Sequence, residues 1–391
     1  MKKKFVAGQV GCGSFAQDQH GHNAMKIPYI ERIKWACDLS GKNAKAYADK
    51  FKVEKITSSF TDVTTDPEVD IVLIATSHEA RVPIIESACK NGKHIFCEKP
   101  MAMTEWESYQ IIKAVRKNDI KFCVDYMRRK APAVVALKRE WLKHKESPER
   151  QPWRYVEVPR GKFIEEQATD FFVRVQDESS SYRLVHLDPF TGGGLIIGEA
   201  GHWIDLAWWL YDNDRPVEVH AWGSSRMRYG IHLLFQSGNA ATIIMTPNGS
   251  FDYPKEMYEI AHDGAFFRME FFVENQYFGR PGQEREIFPL ARDPRPDAGK
   301  QGGLSGYMEK RAASRQGAAN QKETWDLLLA DHGYQKMFDA FIDAIRNNTL
   351  TPCDEMAGYR TTYLTELAKK SVELNHPLPV PVEKWDYYVH M

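Results

Sequence analysis

Of all the sequence features, the glycine-rich turn after the first apolar segment most restricts the folds that this chain can adopt. Residues 5–10 are apolar and lead into the sequence Gly-Cys-Gly-Ser-Phe-Ala at residues 11–16, a spacing typical of a strand that turns into a helix. In such turns Gly11 would permit the tight reversal, and Gly13 would let the backbone approach a pyrophosphate bound by amides at the helix N-terminus. Ala16 is small enough to keep the helix close to the strand. The turn predicts a dinucleotide-binding site.

An acidic residue follows the second predicted strand. Asp38 comes directly after residues 33–37, where a carboxylate can accept hydrogen bonds from the adenosine ribose diol. The same charge would repel a 2′-phosphate and no arginine lies within residues 39–42, so NAD is favoured, while Lys42 keeps NADP as the lesser alternative. The residues expected to bind this half of the dinucleotide are Gly11, Cys12, Gly13, Ser14, Phe15, Asp38 and Leu39.

The order of predicted strands and helices changes along the chain. The first third alternates apolar runs with helical patterns, which is typical of a doubly wound α/β parallel sheet, whereas consecutive strand-like segments later indicate an α+β region with a large, mostly antiparallel sheet. We expect domains at residues 1–127 and 128–391, with a long loop or lid at 275–320. The predicted strands are 5–10, 33–37, 71–75, 94–97, 121–126, 217–222, 231–235, 241–245, 257–261 and 266–272, and the main later helices are 133–145, 199–211, 334–347 and 354–375.

Composition excludes several classes of partner. The formal net charge is −1 and the charges are interspersed, which does not favour binding to nucleic acid or to an anionic membrane. The apolar stretch near the amino terminus is too short for a signal peptide, and no later run could span a bilayer, so a cytoplasmic location is expected. The six cysteines lack Cys-x-x-Cys spacing, so reduced, buried thiols are expected, without structural zinc.

Lys99 follows the strand predicted at residues 94–97, within the sequence Cys-Glu-Lys-Pro. Open α/β sheets bind ligands at the carboxyl ends of their strands, so a lysine there would face the nicotinamide. It could accept or share the hydroxyl proton of a substrate as a hydride leaves. A solvated surface lysine is far commoner in general, so this motif alone does not assign the role. Pro100 is a candidate for a cis bond that fixes the turn.

Together these features resemble the Gfo/Idh/MocA family, which includes glucose–fructose oxidoreductase and inositol dehydrogenase. The likeness covers nearly the whole chain and extends to residues 125–129 and 192–205. The resemblance implies a Rossmann domain, an open-faced sheet domain that often mediates oligomers, and hydride transfer at sugars, inositols or sugar derivatives. It also implies that Lys99 has the central catalytic role. The residues that it places along the nicotinamide half of the cofactor are Thr76, His78, Glu98 and Lys99.

A histidine within the predicted helix at 199–211 is the second catalytic candidate. The resemblance assigns the acid–base role to His202, and either Glu199 or Asp205, each three residues away, could orient its imidazole. Many relatives carry an aspartate where this chain has Gly198. Glu199 could replace that carboxylate or could simply cap the helix, and both interpretations stay open. A metal held by Glu199, His202 and His186 is a minor alternative, and no metal is expected.

Several residues near the domain junction are candidates for substrate contacts. Arg128 and Arg129 could donate to hydroxyls or a carboxylate, although an inter-domain ion pair is an equal possibility for one of them. His186 aligns with a position where relatives often have a polar substrate contact. His20, in contrast, is expected to be a surface or cleft residue without a defined role. The expected substrate contacts are Tyr126, Arg128, Arg129, His186, Glu199 and His202.

The leading interpretation is a dehydrogenase in which NAD accepts a hydride from a carbinol carbon while Lys99 and His202 handle the proton. One alternative is a glycosidase or lyase that oxidises a glycoside transiently and then returns the hydride. A lesser alternative is a sugar-binding sensor that holds the dinucleotide without turnover. The expected partners are a small sugar or polyol and further copies of the chain, joined through the C-terminal sheet. The sequence does not name the sugar or the carbon that is oxidised.

Overall fold

A six-stranded, all-parallel sheet organises the amino-terminal third of the chain in the computed structural model. Its strands are β1 (Phe5–Val10), β2 (Ile30–Cys37), β3 (Lys55–Thr57), β4 (Ile71–Ile74), β5 (His94–Cys97) and β6 (Phe122–Val124). They lie in the order β3-β2-β1-β4-β5-β6, so the strand order reverses between β1 and β4. Ligands bind beside such a reversal, at the carboxyl ends of the strands. The predicted doubly wound parallel sheet is confirmed, although β3 had not been predicted.

The structure describes residues 4–148, 156–158, 161–163, 168–177, 184–188, 190–250, 252–280, 282, 284–291, 302–316 and 328–386. Its α-helices are α1 (Gly21–Lys26), α2 (Gly41–Phe51), α3 (Phe60–Thr64), α4 (Arg81–Lys90), α5 (Glu105–Asn118), α6 (Pro132–Lys145), α7 (Leu184–Leu187), α8 (Gly201–Leu210), α9 (Gly303–Gln316), α10 (Tyr334–Asn347), α11 (Glu355–Leu374) and α12 (Val382–Asp386). Short π-helical segments at Ala16–His20 and Ile196–Ala200 precede α1 and α8, and 3₁₀ turns occupy His78–Ala80 and Met127–Lys130.

Local sequence signals explain where the helices begin and how they pack. In α2 the apolar stripe that includes Ala44, Tyr47 and Phe51 is buried, as a helical repeat requires. Helix α5 begins with a capping box, in which Thr104 accepts from the Glu107 N–H and the Glu107 carboxylate accepts from the Thr104 N–H. These contacts satisfy backbone donors that the helix itself leaves free.

A nine-stranded sheet forms most of the remaining structure. The later strands are β7 (Val156–Val158), β8 (Gly161–Phe163), β9 (Asp170–Gln176), β10 (Pro216–Gly223), β11 (Tyr229–Phe235), β12 (Ala240–Thr246), β13 (Glu256–His262), β14 (Ala265–Glu270), β15 (Glu274–Phe278), β16 (Arg285–Ile287) and β17 (Leu378–Pro379). The sheet order is β16-β15-β14-β13-β9-β12-β11-β10-β17, while β7 and β8 pair separately. Only the pairing of β9 with β12 is parallel, which confirms a mostly antiparallel sheet.

Two predictions about this region were wrong. Strand β9 had not been predicted, yet it lies in the middle of the sheet with Phe171, Val173 and Val175 facing the core. The segment 275–320 is not simply a loop, because it contains most of β15, all of β16 and α9. Part of this segment makes long-range contacts, such as the Asn275 side-chain amide donating to the Ala133 carbonyl at 2.8 Å. Residues 281, 283, 292–301 and 317–320 of the predicted lid lie outside the described residues.

Two buried ion pairs connect secondary-structure elements at the junction between the two sheets. Arg128 donates from Nε and Nη2 to Glu256 at the start of β13, at 2.9 and 2.5 Å. Arg129 donates to Asp205 in α8 at 2.7 and 2.5 Å, and its third nitrogen binds the Pro352 carbonyl. All four charged side chains are buried. The two neighbouring arginines therefore link the 3₁₀ turn at Met127–Lys130 to the sheet, through Arg128, and to α8, through Arg129.

Removing one partner of the Arg129–Asp205 pair leaves a buried charge without compensation. We expect Arg129→Met to destabilise the protein by about 3–5 kcal/mol, measured as a shift of the urea unfolding midpoint. Arg32 is the matched control, because it pairs with carboxylates at the surface, and Arg32→Met should cost roughly 1 kcal/mol or less. Equal shifts for the two variants would show that the buried pair does not hold the junction.

Candidate functional site

A cavity of about 580 Å³ lies at the carboxyl ends of the parallel strands, between the glycine-rich turn and the start of α8. Most residues that the sequence proposed for the nicotinamide half and for substrate line this one cavity, although they are far apart in the chain. The proposed residues that line it are Ser14, Phe15, Thr76, His78, Glu98, Lys99, Arg128, His186, Glu199 and His202. The fold therefore brings the two main catalytic candidates to a single site.

The two glycines of the turn have different structural roles. Gly11 has a φ of +86°, and a Cβ atom placed there would lie 2.4 Å from the Ala75 carbonyl oxygen. A Cβ atom on Gly13 would meet nothing within 4 Å. Gly11 is therefore required by the fold itself, whereas Gly13 borders open space at the start of the first helix. That space is what a pyrophosphate bound by backbone amides needs.

Asp38 is held rigidly beside the same turn. Its Oδ2 accepts from the Cys12 N–H at 2.8 Å, and its Oδ1 accepts from the Ser40 N–H at 2.8 Å. Leu39, next along the chain, is 93% exposed and lies outside the cavity lining. The carboxylate is thus fixed at the end of β2, where the adenosine ribose is expected in this kind of fold.

Lys99 reaches across the cavity to the segment before α8. Its Nζ donates to Glu199 Oε1 at 2.7 Å and to the Gly198 carbonyl at 3.0 Å, and the Lys99–Pro100 bond is cis, as proposed. Burial would raise the pKa of Glu199, but the nearby ammonium groups of Lys99 and Lys255 outweigh it and lower that pKa. Glu199 therefore faces Lys99 as a carboxylate, and it does so from the position next to Gly198.

His202 lies in the same wall of the cavity as a buried, neutral imidazole. Burial lowers its pKa well below the ordinary value, and the positive charges of Arg128 and Lys99 lower it further. Its Nδ1 is buried and has no hydrogen-bond partner among the described residues. The proposed orienting contact from Asp205 is not formed, because Arg129 occupies that carboxylate. A neutral imidazole with an unused nitrogen can accept a proton from a bound hydroxyl.

Two proposed substrate contacts are not brought to the cavity. The donors of Arg129 are occupied by Asp205 and the Pro352 carbonyl, so its function in the structure is the ion pair. Tyr126 lies behind His202, with ring centroids 5.9 Å apart, and is itself buried. Arg128 does line the cavity, although two of its nitrogens are committed to Glu256. Close packing at the junction accounts for all three placements.

Sequence reasoning missed several residues at this site. His20 had been expected at the surface or cleft, but it is buried and its Nε2 lies 3.0 Å from Glu98 Oε1. The ring packs edge-on against Phe15 and Phe96, which explains its burial. Lys255 and Tyr334 also line the cavity. Lys255 directly precedes β13 and Tyr334 begins α10, and no local motif marks them, since only the tertiary fold brings them here.

The residues present fit a dinucleotide. The open space at Gly13 accommodates a pyrophosphate, and the Asp38 carboxylate is available at the ribose position. Further along the cavity, the buried Thr76 hydroxyl has no hydrogen-bond partner among the described residues, so a polar ligand group would satisfy it. A nicotinamide half extending from the turn would pass Thr76 and reach Lys99. The site thus has a polar surface along the full length that such a cofactor needs.

The fold and the site define a protein with a dinucleotide-binding Rossmann domain that faces a second, sheet-based domain across a polar cavity. Residues 5–126 match the family model described as "Oxidoreductase family, NAD-binding Rossmann fold", GFO_IDH_MocA. This match confirms the resemblance found in the sequence for the amino-terminal third of the chain. The family model describes an NAD-binding fold, which agrees with the dinucleotide that the sequence favoured.

Curated relatives match about a third of the chain. The uncharacterized oxidoreductase YrbE of Bacillus subtilis is 33% identical over 138 residues, which are 35% of this chain and 40% of that protein. Inositol 2-dehydrogenase of Salmonella typhimurium is 32% identical over 134 residues, 34% of this chain and 40% of that enzyme. The matching segment thus spans about 40% of the length of these relatives.

Solved structures match almost the whole fold. Levoglucosan dehydrogenase in complex with NADH has a TM-score of 0.73 at 18% identity, covering 97% of this chain and 100% of that one. Scyllo-inositol dehydrogenase from Lactobacillus casei has a TM-score of 0.67 at 17% identity, covering 97% and 99%. These similarities establish the fold of both domains.

Two further expectations can be compared with the structure. All six cysteines are buried free thiols, as predicted. None of the helices in the described parts of the chain combines the length and apolar character that a bilayer crossing requires.

The different roles of the two glycines lead to opposite expectations for alanine. Gly13→Ala should leave the unfolding midpoint near that of the wild type but weaken NAD binding on the order of tenfold, because its methyl group projects into the space for the pyrophosphate. Gly11→Ala should lower the unfolding midpoint, because of its positive φ and the contact with Ala75. Isothermal titration with NAD and urea unfolding measure both effects. Unchanged NAD affinity in Gly13→Ala would contradict this placement.

Buried neutral histidines should make the stability depend on pH. Burial lowers the pKa of His78 to about 2 and that of His332 to about 4, and it also lowers the pKa of His202. In the unfolded state the pKa of each histidine returns to about 6.5. Below that pH, the unfolded state therefore binds more protons than the folded state. The free energy of unfolding should therefore fall as the pH drops below about 6.5, by up to roughly 1.4 kcal/mol per pH unit for each histidine.

The variant His332→Gln isolates one of these groups, because His332 does not line the cavity. We expect its unfolding free energy to vary less steeply between about pH 6.5 and pH 4 than that of the wild type. His376→Gln, at an exposed position, is the control and should keep the wild-type slope. Urea unfolding at several pH values measures these slopes. The expectation fails if His332→Gln and His376→Gln have the same slope.

Proposed function

We propose that the protein is an NAD-dependent oxidoreductase that transfers a hydride between nicotinamide and a carbinol carbon of a sugar, a sugar derivative or an inositol. The observation that carries this proposal is the convergence of Lys99 and His202 on one cavity that begins beside the glycine-rich turn. The domains proposed at residues 1–127 and 128–391 would each contribute one of these two groups. The cavity between them would hold the nicotinamide and the substrate together.

The chain's own residues would orient the dinucleotide along the strand ends. Backbone amides after Gly13 would bind the pyrophosphate, and Asp38 would accept from the ribose diol. The remaining half would then lie against Thr76 and Glu98, next to Lys99. When bound, NAD supplies the acceptor for the hydride. The Asp38 charge also disfavours a 2′-phosphate, which supports NAD over NADP.

Lys99 and His202 would have different roles at the substrate hydroxyl. Glu199 and the Gly198 carbonyl fix Lys99 Nζ, so the ammonium group would donate a hydrogen bond to the substrate oxygen and stabilise negative charge that develops on it. The neutral imidazole of His202 would accept the hydroxyl proton as the carbon is oxidised, and would return it in the reverse direction. Glu199 would thus support the reaction by positioning Lys99, and its contact with Lys99 supports a role in the site beside any helix capping.

The proposed substrate is a small, hydroxyl-rich molecule. His186 and Lys255 provide further hydrogen-bonding groups in the lining of the cavity. The names of similar proteins also support a hydroxyl-rich substrate, because they include inositol 2-dehydrogenase, levoglucosan dehydrogenase and 1,5-anhydro-D-fructose reductase. Those names give no support to the two alternatives, a glycosidase acting through transient oxidation and a sugar-binding sensor.

An assembly of identical chains is also part of this proposal. The face of the nine-stranded sheet that points away from the helices carries apolar side chains at alternating positions. Phe172, Trp222, Leu234 and Ile244 are each at least 36% exposed. A face of this kind is commonly covered by another protein surface. We propose that it pairs with the same face of a second copy.

The proposal is tested by turnover with a panel of pyranoses and cyclitols, followed through the absorbance of NADH. Lys99→Ala should reduce turnover by roughly 10²–10⁴-fold, while NAD affinity changes little because the turn and Asp38 provide it. Lys138→Ala is the matched control: Lys138 binds Asp212 and the Trp209 carbonyl outside the cavity, so turnover should persist. Full activity of Lys99→Ala would contradict the assignment. Aglycone release without net NADH would instead favour the glycosidase.

A further inference from the structure

Three titratable side chains form a buried cluster on the cofactor side of the cavity. His20 comes from the first helical segment, Glu98 follows β5 and Asp125 follows β6. His20 Nε2 lies 3.0 Å from Glu98 Oε1, and one polar atom from each of the three residues lies within 4.8 Å of the others. All three side chains are less than one tenth exposed. We call His20, Glu98 and Asp125 the buried triad.

Among the described residues, no lysine or arginine forms an ion pair with either carboxyl group of the triad. Arg81 donates to backbone carbonyls, including that of Glu98, rather than to a carboxylate. Lys99 Nζ is bound to Glu199, and Arg128 is bound to Glu256. The charged or titratable groups that face the triad from the surrounding elements are Arg81, Cys97, Lys99, Cys123, Arg128 and Tyr334.

Two carboxyl groups this close, away from water, do not both ionise readily. Burial, and then the neighbouring charge of Glu98, raise the pKa of Asp125 well above its ordinary range. Asp125 Oδ1 and His20 Nδ1 are buried without a hydrogen-bond partner among the described residues. The triad therefore holds at least one proton that can move among its members or leave, and its protonation responds to any charge brought nearby.

The nicotinamide ring would bring such a charge. Glu98 lines the cavity next to Lys99, where we have proposed that the nicotinamide half lies. The oxidised ring carries a positive charge and the reduced ring does not. A cation beside Glu98 favours the ionised form of the carboxyl pair, and its removal favours the protonated form. The oxidation state of the bound dinucleotide and the proton content of the triad are therefore linked.

We propose that His20, Glu98 and Asp125 form a proton-exchanging triad that holds more protons with NADH bound than with NAD bound, so that pH sets the relative affinity for the two. The proposal rests on the function proposed above and goes beyond it, because it concerns residues that need not touch the substrate. His20 and Asp125 act through Glu98 and are positioning residues. The direction is fixed by charge: a higher pH should favour the binding of NAD over NADH.

Calorimetric titration of the wild-type protein with NAD and with NADH tests this linkage without any turnover. We expect the ratio of the NAD dissociation constant to the NADH dissociation constant to fall as the pH rises from about 6 to about 9, by up to tenfold per pH unit. Repeating the titrations in buffers with different ionisation enthalpies counts the protons. NADH binding should take up as much as one proton more than NAD binding. His78 stays neutral in this range, because its pKa is lowered to about 2.

Conservative variants assign the effect to the triad. Asp125→Asn should bind both dinucleotides with a ratio that no longer depends on pH, because the shared proton is replaced by an amide. His20→Gln, a second variant at a different element, should flatten the same dependence. His144→Gln is the matched control, since His144 is another buried histidine whose Nε2 contacts the Asp263 carbonyl away from the cavity. It should keep the wild-type dependence.

The outcomes separate the two proposals. If the wild type binds both dinucleotides with a ratio independent of pH, the linkage is overturned and the proposed function stands. If both Asp125→Asn and His20→Gln keep the wild-type slope, the proton belongs to another group and the assignment to the triad is overturned. If the wild type binds neither dinucleotide, the proposed function fails and the linkage fails with it.

Discussion

The ion pair between Lys99 and Glu199 is the contact on which the architecture of the site depends. It joins the end of a parallel strand to the segment before α8, across 100 positions of sequence. Both side chains are partly accessible from the cavity, at 17% and 25% exposure, so a ligand can reach them. Because Glu199 and His202 lie on successive turns of the same helical segment, fixing Lys99 to one brings it towards the other. The proximity of the two candidate catalytic groups, Lys99 and His202, therefore depends on the contact between Lys99 and Glu199.

Two buried arginine pairs supply the rigidity that this contact needs. Arg128 and Arg129 are neighbours in the chain, yet one binds Glu256 in the sheet and the other binds Asp205 in α8. The Trp203 indole also donates to Glu256, at 3.1 Å, so the helix that carries His202 is tied to the sheet as well as to the junction. Buried, bidentate pairs of this kind fix geometry more than they add net stability. His202 is thus held in place by neighbours that leave its own ring nitrogen unused.

Local sequence signals predicted much of the fold and of the cofactor site. The glycine turn, Asp38 and Lys99 were all predicted, because each depends on a strand end and the few residues after it. Contacts between distant segments were beyond such reasoning. Arg128 and Arg129 were proposed to bind substrate, with an inter-domain ion pair as an equal possibility for one of them. Both form ion pairs, and the partner of Arg129 lies 76 positions away. His20 was expected to be a surface or cleft residue without a defined role, although Glu98, 78 positions away, contacts it. Strand β9 was missed because its central place depends on β12 and β13, which come later in the chain.

Lys99 and His202 are proposed to act on one substrate hydroxyl. A crystal structure of the protein with NADH and a cyclitol or pyranose would show whether they do. We expect one ligand oxygen within hydrogen-bond distance of both Lys99 Nζ and a ring nitrogen of His202, with the carbon that bears it facing the nicotinamide. A ligand whose oxygens contact neither group, or only one of them, would contradict the proposed roles of Lys99 and His202.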